Sequence, residues 1–99
     1  MKEPELVSKL FVLCEAWLIG GAVDDDNPKD WDVWVPLSKW SIACGIIPKE
    51  VKVNRFGGFK INENGIEIDV WTSEFQEVIR SPKFTKAYCP FTGVKIIKE

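Results

Sequence analysis

Histidine is absent from the 99 residues, and cysteine is scarce: Cys14, Cys44 and Cys89 stand far apart in the chain. Without imidazole there is no Ser-His-Asp or Cys-His catalysis and no imidazole general base. Without close cysteine spacing there is neither a disulfide framework nor a Cys/His zinc site, and the three thiols read as small buried hydrophobes of a reducing compartment. No run approaches the roughly 18 consecutive apolar residues of a membrane span. Residues 1–20 lack the basic start and small-residue cleavage site of a signal peptide. No repeat, low-complexity tract or Gly/Ser linker divides the chain. A single cytoplasmic domain over residues 1–99, with no membrane partner, is therefore expected.

Basic residues are also thinly spread, so no cluster advertises nucleic acid by itself. Acid is concentrated instead: Asp24, Asp25, Asp26, Asp30 and Asp32 fall in one short segment, in a chain whose net charge is −2. Chemistry in such a chain must run on carboxylates, lysines, backbone amides and borrowed metal ions. Five tryptophans and six phenylalanines supply packing area that a short chain otherwise lacks.

Leu6, Val7, Leu10, Phe11 and Leu13, entered through Pro4 between two glutamates, have helical spacing and predict a helix over Pro4–Cys14. Ala16–Ile19 reads as a short buried strand stopped by Gly20-Gly21, and residues 24–30 as turn. Asp30–Val35 alternates with a two-residue period until Pro36; Leu37–Ile47 reads as a short helix. Val51–Phe56 and Phe59–Asn62 read as strands joined through Gly57-Gly58, with Asn64-Gly65 a tight turn before the alternating run Ile66–Trp71. Thr72 is the expected N-cap of a helix through Phe75, Val78 and Ile79 that stops before Pro82, and a hairpin around 89–93 is expected in the tail. This order predicts an α+β domain: a small mixed β-sheet with helices packed mainly on one face.

Alternation places Asp30 and Asp32 on one face of their strand, with Cα atoms about 7 Å apart, and Trp31 and Val33 on the other. Glu67 and Asp69 share a face of a later strand, so one carboxylate from it can complete a site for hard cations such as Mg²⁺ or Mn²⁺. Two such ions about 3.5–4 Å apart activate a hydroxyl and stabilise a leaving pyrophosphate without histidine. A solvated acidic face is the alternative reading of the pair. Gly20-Gly21 just upstream, where backbone amides can approach a phosphate closely, favours the site. The segment from Asp24 is a poor calcium loop, because Lys29 stands at its sixth position and Val35 at its twelfth. Trp31 is expected in the core. Trp34 and Trp71 share the aspartate face, with core packing and a base-stacking role both open. Arg55 and Lys60 are candidate phosphate contacts or, equally, exposed strand residues.

Taken together, Gly20-Gly21-Ala22-Val23, Asp30-Trp31-Asp32 and Ile68-Asp69-Val70-Trp71 resemble the glycine turn, the Asp-x-Asp pair and the third-carboxylate strand of the DNA polymerase beta-like nucleotidyltransferases, especially domains related to CCA-adding enzymes. Arg55–Ile61 resembles the hairpin before the last of these strands, and the likeness runs over roughly 10–75. The resemblance implies a nucleotidyltransferase-like fold in which Asp30 and Asp32 bind both metals, Asp69 binds the metal that activates the hydroxyl, and the Gly20 and Gly21 amides hold phosphates. It implies transfer of a nucleoside monophosphate from an NTP such as ATP to a hydroxyl acceptor, with pyrophosphate released. RNA, a small molecule and a protein all remain open as acceptor. A partner chain is one source of the second domain that most relatives carry. The alternative is a degenerate nucleotidyltransferase-fold module that binds a nucleotide or a protein partner without catalysis.

Overall fold

The computed structural model describes residues 3–48, 58–82 and 85–98, with the backbone of 52–53. Leu6, Val7, Leu10, Phe11 and Cys14 form the buried stripe of α1 (Glu5–Cys14). Glu15, in the left-handed conformation at φ 53°, ends that helix and returns the chain into β1 (Trp17–Ile19). A 3₁₀ turn over Gly20–Asp24 leads through the aspartate-rich loop to β2 (Asp30–Trp34). A second 3₁₀ turn precedes α2 (Trp40–Ile46), and β3 (Lys52–Val53), β4 (Phe59–Glu63) and β5 (Ile66–Trp71) follow. The chain closes with α3 (Phe75–Arg80) and the hairpin β6 (Lys86–Cys89) and β7 (Val94–Ile97).

The seven strands form one mixed sheet in the order β3-β4-β5-β2-β1-β6-β7, in which β2 and β5 are parallel and every other pair is antiparallel. Asn64-Gly65, both at positive φ, make the expected tight turn between β4 and β5. Gly58 sits where a Cβ would lie 2.1 Å from the carbonyl oxygen of Val70 and 2.9 Å from the Cα of Trp71, so glycine lets this segment lie against the end of β5.

On one face, Leu18, Trp31, Val33, Ile61, Ile68 and Val70 pack against α1 and Ala43 of α2. Each fully buried aliphatic side chain there contributes roughly 1.5–3 kcal/mol. On the other face a smaller core joins Ile19, Trp34, Trp71 and Ala87 to Val78 of α3, with Phe75 of α3 packed 5.0 Å from Trp17 and 5.2 Å from Trp34 between ring centroids. The domain is thus α+β with a mixed sheet, as its element order predicts. Two helices share a face, and α3 takes the opposite one.

One expectation needs correction and an open one is decided. Thr72 does not cap α3: its hydroxyl donates to the carbonyl of Val35 at 2.6 Å, which ties the end of β5 to the chain leaving β2, and Glu74 holds the cap position without a side-chain bond. Trp34 and Trp71 share the aspartate face as expected, and of the two roles left open they take core packing: at 4% and 6% exposure they belong to the second core and offer no stacking surface. The indole N–H of Trp34 donates to the carbonyl of Ser73 at 3.2 Å. Trp31 lies in the main core, as expected. No described helix is long and apolar enough to cross a membrane.

Candidate functional site

The polar end of the α3-bearing face begins where its aromatic core stops. Along β2 the side chains on that face are Asp30, Asp32 and Trp34, so two carboxylates precede the tryptophan that α3 covers. The parallel register with β5 sets Asp30 beside Glu67, Asp32 beside Asp69 and Trp34 beside Trp71. Register neighbours on adjacent strands are about 4.8 Å apart, so the Asp32 and Asp69 side chains leave the sheet side by side. Two acidic rungs therefore lie on the central strands, with an aromatic rung behind them. They stand in the middle of the sheet and not at its edge.

Strand β4 adds a basic residue to this face beside the acids. Lys60 is opposite Asp69, and its ammonium lies 3.8 Å from the Glu67 carboxylate. Arg55, the other candidate phosphate contact, lies outside the described residues, as does Gly57.

Upstream of β2 the glycine turn has a distinct geometry. Gly20 is buried at φ 83°, a conformation L side chains rarely adopt, and it redirects the chain from β1 into the 3₁₀ turn. Gly21 is exposed, with open space where a Cβ would stand. Gly21, Ala22, Asn27, Lys29, Asp30 and Asp32 are among the residues lining an open depression of about 480 Å³, within the size range of small-molecule sites. Gly21, Asp30 and Asp32 thus meet in one place. Asp69 stands one strand away, and Lys60 one strand further, and neither lines the depression.

The acidic loop is less repulsive than its composition implies. Asp24 accepts from Lys86 at 2.6 Å and from Lys95 at 2.7 Å; these hydrogen bonds, Lys86 first, hold its carboxyl at about 2, well below the usual carboxylate value. Asp25 accepts the backbone N–H of Asn27 at 2.9 Å and so shapes the loop, but it also lines the depression, so three carboxylates face one lysine there. Lys29, a lining cation within the acidic run, is the residue that sequence reasoning passed over; its signal was its position immediately before the Asp30 strand.

Among the described residues, no group of three or more Asp, Glu, Cys or His side chains is gathered closely enough to hold a metal ion. Asp32 and Asp69 are nonetheless oxygen donors at adjacent register positions, the donor type that hard cations take. Compared with protein-family models, curated proteins and solved structures, the chain matches none.

Proposed function

We propose that this domain is a metal-dependent nucleotidyltransferase that moves a nucleoside monophosphate from an NTP to a hydroxyl acceptor and releases pyrophosphate. The observation that carries the reading is the parallel register of β2 and β5, which sets Asp32 beside Asp69 while Asp30 and Asp32 face the depression shared with the glycine turn. Asp30, Asp32 and Asp69 would hold Mg²⁺ or Mn²⁺, which when bound lowers the pKa of the attacking hydroxyl and offsets charge on the leaving group. The chain's own contribution is position. Gly21 leaves room for a phosphate to approach backbone N–H groups, Gly20 sets the bend that presents them, and Lys29 offers a cation on the lining. Lys60, tied to Glu67, keeps the face beside Asp69 from being wholly anionic.

The acceptor is RNA, a small molecule or a protein, with a partner chain as one source of further contacts. The test is incubation with each labelled NTP and Mg²⁺ or Mn²⁺ in the presence of cellular RNA and protein, scoring transfer of label. A second reading, a module that binds a nucleotide or a protein without transfer, draws support from the ungathered side chains of the three aspartates. Nucleotide binding without transfer to any acceptor would favour that reading, and absence of binding would remove both.

A further inference from the structure

The turn that presents Gly21 is anchored at both ends by the C-terminal half of the sheet. At its start, β1 pairs with β6, with Ile19 opposite Ala87. At its end, Asp24 spends both carboxylate oxygens on that hairpin: Oδ2 on Lys86 of β6 and Oδ1 on Lys95 of β7. Between these anchors lie Gly21 and Ala22, which line the depression, and Val23, which with Ala22 packs against the main core.

One exposed ion pair contributes little, but two cations on the two oxygens of one carboxylate form a network in which each lysine restricts the carboxylate for the other. We infer that Asp24, Lys86 and Lys95 form a clasp that positions the Gly20–Asp24 turn, so that the β6-β7 hairpin sets the geometry of a site that none of its residues lines. The inference rests on the nucleotide-site reading for its functional meaning but not for its structural content. Asp24 is here a positioning residue: its carboxylate is occupied by lysines, and the charge run that begins with it is partly neutralised before any anionic ligand approaches.

The test compares backbone amide hydrogen exchange by NMR in the unmodified chain, Asp24→Asn and Lys95→Gln, together with Mg-ATP affinity by calorimetry. Exchange at Asp25, whose N–H closes the turn on the Ala22 carbonyl, is expected to quicken about two- to tenfold in Asp24→Asn, after correction for the neighbouring side chain, and less in Lys95→Gln, while the β2-β5 ladder amides keep their protection. Lys95→Arg, which retains the cation, is expected to restore slow exchange. Mg-ATP affinity is expected to fall alongside, and the gap between variant and unmodified chain to narrow in about 1 M salt, where the clasp is screened. Unchanged exchange at Asp25 in Asp24→Asn and in Lys95→Gln overturns the clasp, whatever the nucleotide result. If exchange quickens but the unmodified chain binds no Mg-NTP, the clasp stands and the nucleotide-site reading fails. Should Asp24→Asn not fold, Lys95→Gln decides alone.

Discussion

Asp32 and Asp69 are direct neighbours on parallel strands, in register and on the same face of the sheet. That adjacency gives the two carboxylates separable consequences. If Asp69 serves the cation that activates the hydroxyl while Asp30 and Asp32 hold the nucleotide's cation, Asp69→Asn is expected to lower transfer by about 10²-fold or more with Mg-NTP affinity largely kept. Asp32→Asn is expected to impair both. Calorimetric titration with Mg-ATP and Mg-GTP beside the transfer assay checks this, and equal loss of binding in the two variants would contradict the division of labour.

Glycines at the two ends of the fold separate packing from function. A methyl at Gly58 meets backbone of β5 that no side-chain rotation can clear, so Gly58→Ala is expected to cost about 1–3 kcal/mol. Gly21→Ala meets open space, and its expected change lies within about 0.5 kcal/mol. Urea unfolding midpoints of the two variants give the comparison, with constant slope as the control.

Acid sensitivity follows from Asp24. Its folded-state carboxyl is lowered from 3.8 to about 2, so the clasp's contribution is fully present above the unfolded value and is lost as pH falls from about 4 through about 2. Urea unfolding of the unmodified chain is therefore expected to weaken across that window more than unfolding of Asp24→Asn. Because the carboxylate is 41% exposed, added salt is expected to shrink the difference. Parallel pH profiles for the two chains would overturn the assignment.

Thiol chemistry reports on burial. Cys44, against the expectation that all three thiols are buried, is exposed on α2, while Cys14 and Cys89 are buried, and burial pushes the Cys14 thiol up against the weaker opposing pull of Lys39. One fast-reacting thiol in the native chain and three after denaturation are expected with a thiol-specific chromogenic reagent. Fast labelling of Cys14 or Cys89 in the native state would contradict the packing of α1 and β6.

What could be read from sequence was what is local. The alternation in Asp30–Trp34 and Ile66–Trp71 marked both site strands and the shared face of each carboxylate pair, because one face of each is apolar throughout. That the two strands pair side by side, with Asp32 meeting Asp69, is a tertiary fact that neither period contains. Phe75 and Val78 announce an apolar helix face but not which side of the sheet it will cover, and so the helix was legible while its placement opposite the other two, which decides for core packing of Trp34 and Trp71, was not. Thr72 looked like a cap because only local partners are visible in a sequence; a carbonyl at Val35 competed for its hydroxyl. Lys86 and Lys95 are unremarkable as isolated lysines, and their meeting at Asp24 exists only once the hairpin has folded.

The central position of β2 and β5 has a consequence for how the acidic pair comes into being. Parallel neighbours cannot be closed by a tight turn; α2, β3 and β4 intervene along the chain before β5 can dock beside β2. Ile68 and Val70, which alternate with Asp69, are wholly buried in the main core, so the strand that carries the acid is also the strand that completes the interior. The carboxylate rung and the sealed core thus depend on the same β2-β5 pairing, and any opening that parts the two strands dissolves both at once.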